Sequence, residues 1–288
     1  MPIAAIALDF DPILRLGEVT VRWQMVALAA VVVIVLLLAA AFSRRVGLRA
    51  DDLLFVAVGA VPGAVIGGRL GYVLGHLEFY KAHPEAIVDP AQGSLTLGLA
   101  VGGGILTGAI VARLLGTPAR LWFHVAAVPL LVGIGLGKLA MVLSGSGQGM
   151  PSGEAWATAF LGEGPWSSLA PEIPSHPSQV YEAAVVLGTL LLLAILAAAR
   201  AFRARDGRAL FAAVLVWSLG RAAVGSVWRE PPVLGILRVE QLVALGLAMV
   251  SLVGIVVLAR RGHAPVAWED GPPLGSPEWP DPAERPRF

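Results

Sequence analysis

Seven stretches of this chain, at about 24–43, 53–75, 95–116, 121–145, 179–199, 209–227 and 239–259, are almost uninterruptedly apolar. An α-helix needs roughly 20 such residues to cross the hydrocarbon layer of a bilayer. None of the seven alternates apolar and polar residues with the period of two of a barrel strand, and backbone polar groups in lipid are satisfied only inside a helix or a closed barrel. The expected class is therefore all-α: a polytopic membrane protein with about seven transmembrane helices. A content of 57% hydrophobic and 14% charged residues excludes an ordinary soluble domain. The chain has no cysteine, which rules out disulfides, thiolate metal sites and a cysteine nucleophile of its own.

The net charge of +1 hides an uneven distribution of the 21 lysines and arginines. Thirteen of them, among them Arg44, Arg45, Arg200, Arg203, Arg260 and Arg261, follow odd-numbered spans, against five on the other face. Cytoplasmic loops carry the basic excess, so the amino terminus is expected outside the cytoplasm and the carboxyl terminus inside it. The first span ends in "LLLAAAFSRR" and is read as uncleaved, because no strongly basic region precedes it and an arginine pair follows at once. Residues 1–262 form the expected membrane domain. The Pro- and Gly-rich remainder, 263–288, lacks the apolar residues for a core and is expected to be a disordered cytoplasmic tail.

Three cations fall inside spans: Arg69 in "GGRLGYVLG", Lys138 in "GIGLGKLAMVLSGSGQG" and Arg221 in "SLGRAAVGS". An ionised side chain deep in a bilayer costs about 2.5–3.5 kcal/mol on insertion scales, so it faces a protein interior or a watery cavity and meets an anion there. Their glycine-rich surroundings let a ligand approach, and three cations together point to one shared anionic ligand. The plainer alternative is that the small residues serve helix packing and each cation pairs with a carboxylate such as Glu182 or Glu240. A guanidinium holds phosphate with two parallel hydrogen bonds, and the phosphate most available at such a depth is a phospholipid headgroup. A lipid-modifying enzyme and a lipid or anion transporter both suit such a cavity.

One further stretch, "SHPSQVYEA" at Ser175–Ala183, sets polar groups directly before the fifth apolar run. His176 is suited to proton exchange near neutral pH, Ser178, Gln179 and Tyr181 to orienting a headgroup, and Glu182 to pairing with an arginine. If a helix begins near Ser178, then Ser178, Tyr181 and Glu182 share one face, so Tyr181 and Glu182 are expected in one cavity with Arg69 or Arg221. Proline, serine and glutamate are equally what any helix start shows. His76, His83 and His124 have no metal-ligand spacing, so no metal or cofactor is expected. Trp23, Trp122, Trp156, Trp166 and Trp228 fall near span ends and read as an interfacial belt.

"GGRLGYVL" and "HPSQVYE", followed in order by the weaker "GLGKLAMVLSGSGQG", "GRAAVGSVWRE" and "EQL", resemble the prolipoprotein diacylglyceryl transferase family. The resemblance implies a bacterial cytoplasmic-membrane enzyme moving a diacylglyceryl group from phosphatidylglycerol to the cysteine thiol of a prolipoprotein signal peptide, releasing glycerol phosphate. Its partners would be those two substrates and the lipid bilayer, with no nucleic acid. It implies catalytic roles for His176, Arg221 and Lys138, and substrate binding by Arg69, Tyr72, Gln179, Tyr181, Glu182 and Arg229. The chain departs from the family pattern at several positions. Lys138 stands for an arginine, Met141 for an asparagine, Gly98 or Gly102 for an essential histidine, Gln24 for an aromatic residue and Gly225 for a glutamate. A base is then left to His176 or a phosphate oxygen. The alternatives are a relative that binds phospholipid or lipoprotein without this chemistry or acts on another lipid, and a transporter.

Overall fold

The structure, a computed structural model, describes residues 6–89 and 92–260. The expected tail at 263–288 lies outside the described residues. Eight α-helices occupy most of them: α1 (Trp23–Arg45), α2 (Ala50–Gly75), α3 (Leu77–Ala82), α4 (Leu97–Leu114), α5 (Ala119–Val142), α6 (Ser178–Ala198), α7 (Arg208–Val224) and α8 (Val239–Arg260). All but the short α3 are long and apolar enough to cross a membrane, which gives seven candidate spans. Their ends follow local chemistry. Arg44 and Arg45 close α1, where cations meet the negative end of the helix dipole, and Gly47 turns the chain at a φ of +76°. Asp51 and Asp52 occupy the first turn of α2, at the positive end.

The closest packing joins α2 to α4. Gly59, Gly63, Gly67 and Gly71 recur every four residues and so share one face of α2. A Cβ on Gly63 would strike the carbonyl oxygen of Gly103, one on Gly67 that of Leu99, and one on Gly103 that of Gly63. The two backbones therefore touch, and dispersion between them replaces the hydrophobic driving force that lipid does not supply. A second contact region, around the buried Trp217, Leu131, Leu210 and Val186, ties α5, α6 and α7 together.

One end of the bundle carries a cap that adds short strands to the expected all-α architecture. Strands β2 (Ile13–Leu16) and β3 (Val19–Arg22) form an antiparallel hairpin whose turn uses Gly17 at a φ of +62°. Strand β1 (Ile6–Leu8) pairs in parallel with β4 (Thr158–Phe160), from the long connection between α5 and α6. Trp166 packs between Phe10 and Phe160, at ring-centroid distances of 5.0 and 4.8 Å, and the Ser167 amide donates to the Ser144 carbonyl at 2.8 Å. Residues 144–177 are thus a folded part of the molecule. The starts of α1, α4, α6 and α8 and the ends of α2, α5 and α7 lie at this capped end, which concentrates the polar residues of five helices there.

Candidate functional site

At the capped end, four ionisable side chains from four helices meet. Lys138 of α5 donates to Glu182 Oε1 of α6 at 2.8 Å. Arg221 of α7 donates through Nη1 to Glu182 Oε2 and through Nη2 to Glu240 Oε2 of α8, the latter at 2.7 Å. Glu182 is 3% exposed and Arg221 6%, so these are buried pairs whose desolvation is offset only because each charge has a partner. Trp217 and Trp228 place ring centroids 5.9 and 4.6 Å from the guanidinium, adding cation–π stabilisation. Lys138 stands four residues before the end of α5 and Arg221 three before the end of α7. At 1.5 Å per residue both lie about one helical turn inside the capped end of their helices.

The cluster revises the expectation of one exogenous anion shared by three cations. Lys138 and Arg221 do share an anion, and it is the chain's own Glu182; Glu240 takes the other edge of Arg221. Arg69 does not join them. Its guanidinium donates to the carbonyls of Ile87 at 2.7 Å, Gln92 at 2.6 Å, and Ala86 and Asp89 at 2.6 and 3.0 Å, and lies over the ring of the buried Tyr80. Arg69 therefore fixes the connection that follows α3. Tyr72, one turn further along α2, stacks on His76 with centroids 4.2 Å apart and meets Tyr80 edge-on.

The polar stretch before α6 divides between the cluster and the cap. Ser178 is buried and donates to the Gly147 carbonyl, and Glu182 reaches the cations. Tyr181 turns instead to the cap, where its hydroxyl accepts from Trp156 Nε1 at 2.7 Å and lies 3.3 Å from His176 Nδ1. Tyr181 and Glu182, expected in one cavity, thus take different partners, Trp156 and His176 for the one and Lys138 and Arg221 for the other. Gln179 is 1% exposed, and neither atom of its amide has a hydrogen-bond partner among the described residues. Arg229 clasps the cap, donating to the Gly149 carbonyl at 2.6 Å and to Ser175 Oγ at 3.0 Å.

Two tryptophans, one at each end of the bundle, are placed otherwise than expected. Trp228 is 7% exposed and faces Arg221, while Trp122 is 3% exposed and donates to Thr117, so neither belongs to an interfacial belt. Both sit at the ends of apolar runs, where burial and interface look alike. A separate apolar cavity of about 460 Å³ lies between α1, α2, α4 and α5, lined among others by Val35, Ala60, Val101 and Ile134.

Residues 12–257 match the prolipoprotein diacylglyceryl transferase family. The chain belongs to that family. The phosphatidylglycerol–prolipoprotein diacylglyceryl transferase of Geobacter sulfurreducens is 32% identical to it over 88% of this chain and 98% of the relative. The enzyme of the same name from Nitrobacter hamburgensis is 32% identical over 91% of this chain and 90% of the relative, and that from Bacillus cereus 26% identical over 87% and 93%. Within the prolipoprotein diacylglyceryl transferase fold, the departures noted in the sequence now have neighbours. A Cβ on Gly98 would meet Val243 and the Glu240 carboxylate, and one on Gly225 would meet Gln241. The Met141 side chain packs beside Gly147, and Lys138 keeps a positive charge on Glu182.

Proposed function

We propose that this protein transfers a diacylglyceryl group from phosphatidylglycerol to the lipobox cysteine thiol of prolipoproteins, and that it does so in a bacterial cytoplasmic membrane with its capped end outside the cytoplasm. The observation that carries the reading is the buried Lys138–Glu182–Arg221–Glu240 cluster, one turn inside the end of a bundle that matches this family over most of its length.

In the reaction a thiol sulfur attacks the glyceryl carbon next to the phosphate, the carbon–oxygen bond breaks, and glycerol phosphate leaves. Arg221 and Lys138 supply positive charge where the leaving phosphate gains its negative charge, and a preorganised charge in a dry site lowers such a barrier most. Gln179, whose amide has no partner among the described residues, offers both a donor and an acceptor to the headgroup. His176 and Tyr181, held against Trp156, stand at the cap, where His176 exchanges the product's proton with solvent. Glu182 orients both cations. Arg229 holds the cap over the site, and Arg69 and Tyr72 serve the substrate through the loop they fix. The apolar cavity between α1, α2, α4 and α5 suits an acyl chain.

Purified protein given phosphatidylglycerol and a lipobox peptide is expected to release glycerol phosphate and to yield the lipid-modified peptide. Binding of the lipid without release would favour a relative lacking the chemistry. Movement of lipid or anion across a vesicle without consumption would identify a transporter.

A further inference from the structure

A reaction that begins from a neutral thiol needs an acceptor for its proton, and the cluster contains two carboxylates that differ in one respect. Both oxygens of Glu182 are engaged, one by Lys138 and the other by Arg221. Glu240 has only Oε2 engaged, by Arg221; its Oε1 is buried with no hydrogen-bond partner among the described residues. A buried carboxylate oxygen without a partner forgoes the hydrogen bond it would have in water, so it is a strong acceptor for any donor that enters. Glu240 is held in place through Oε2 by Arg221. Gly98 on α4 is buried, and a Cβ there would meet Val243 of α8 and, at 3.3 Å, that same Oε2, so α4 keeps clear of the carboxylate only because it carries no side chain at this point. The two other acceptors open to this site are less suited. His176 has its Nδ1 turned to the Tyr181 hydroxyl in the cap, and a phosphate oxygen of the lipid lies next to the bond that breaks.

We infer that Glu240 is the catalytic residue that takes the proton of the acceptor thiol, through the oxygen that Arg221 leaves free. This inference rests on the transfer reaction proposed above. The step balances within the site. The thiol proton passes to Glu240 Oε1 as sulfur forms its bond to the glyceryl carbon, and the carbon–oxygen bond breaks with its electron pair going to the phosphate. Glu240 then returns the proton to the departing glycerol phosphate. Proton uptake also removes the charge with which Glu240 holds Arg221. The guanidinium is released from one carboxylate as the leaving phosphate becomes more negative, so proton transfer and leaving-group stabilisation support each other. The ionisable groups of the cluster around Glu240 are Arg221 of α7, Lys138 of α5 and Glu182 of α6, and Gly98 of α4 stands beside it.

The test is the pH dependence of turnover with phosphatidylglycerol and a lipobox peptide. With Glu240 as base, the wild-type rate is expected to be level between about pH 6 and 8, because the thiol, with an ordinary pKa near 8.5, enters protonated and gives up its proton within the site. Glu240→Gln is expected to lower kcat by roughly 10²- to 10⁴-fold at neutral pH, with KM little changed, and to make the rate rise about tenfold per pH unit as free thiolate accumulates. A wild-type rate that itself rises tenfold per unit would overturn the inference, as would a Glu240→Gln variant that keeps the level profile. Where Glu240→Gln does not fold, Glu240→Asp keeps the charge on Arg221 but withdraws the carboxylate by one methylene. A fall of at least tenfold in kcat at unchanged KM supports the inference, and an unchanged kcat overturns it. Absence of wild-type turnover under all conditions is a different result, which rejects the transfer reaction itself.

Discussion

Lys138 is the residue at which charge and geometry separate most cleanly. It is one of two cations on a carboxylate that is only 3% exposed, so its ammonium offsets part of the desolvation of Glu182. Lys138→Arg keeps that charge and adds a fork able to hold carboxylate and phosphate together, so it is expected to leave the thermal midpoint within a few degrees of wild type and to keep or raise turnover. Lys138→Met leaves Glu182 with Arg221 alone and is expected to cost up to about 3 kcal/mol, seen as a lowered midpoint in detergent, together with at least tenfold in turnover. A harmless Lys138→Met beside an unfolded Lys138→Arg would place the side chain against packed helix and remove it from the site. The amino-acid sequence makes half of the cluster legible. Ionised residues inside apolar runs are rare enough to mark Arg69, Lys138 and Arg221 at once, and Glu182 and Glu240 stand out as possible partners. Which carboxylate faces which cation depends on the rotation of α5 to α8 about their axes, and that is set by packing far from the charges. For the same reason Arg69 cannot be told apart from the other two by its sequence surroundings, although its guanidinium is spent on the carbonyls of one loop.

The α2–α4 seam gives the sharpest expectation among the elements, because its glycines are required by contact and not by backbone freedom. At Gly63 and Gly67 any Cβ would enter the backbone of α4, which cannot yield as a side chain can. Gly67→Ala is expected to destabilise by about 1–3 kcal/mol or more through overpacking, and to separate the two helices. Gly246, within α8, has nothing within 4 Å of the place its Cβ would occupy. Gly246→Ala should therefore be neutral or stabilising by up to about 1 kcal/mol, since alanine is the better helix former. Thermal unfolding of the two variants in the same detergent checks the contrast, and equal effects would mean that the seam is looser than its geometry shows. The spans themselves are legible from apolar length alone, with ends shifted by only a few residues: the fourth apolar run reads to 145, and α5 stops at Val142, where a turn through Ser144 and Gly145 begins the cap. The short strands are not legible. A three-residue strand has no room for a period, and β1 pairs with β4 some 150 residues later, so only the folded cap brings their backbones together.

For the whole molecule, the decisive question is which side of the membrane the capped end faces. The proposed reaction needs it outside, because the site, the cap and the thiol of an exported signal peptide then meet on one face. The basic residues argue the same way. Arg200, Arg203 and Arg205 follow α6 at the opposite end, and the capped end is comparatively poor in lysine and arginine. The absence of cysteine makes the test direct, since a single introduced thiol reports without background. Glu18 is exposed in the turn between β2 and β3, and Arg203 is exposed between α6 and α7. In intact spheroplasts, Glu18→Cys is expected to react with a membrane-impermeant maleimide, whereas Arg203→Cys should react only after lysis. Both substitutions lie well away from the buried cluster, so each variant should keep wild-type turnover, and that control shows the labelled molecule to be correctly folded. The reverse labelling pattern in an active variant would put the cap, His176 and the four-charge cluster on the cytoplasmic side. An exported thiol could not then reach Arg221 from the capped end, and the acceptor substrate of the proposed reaction would have to be abandoned even if lipid turnover remained.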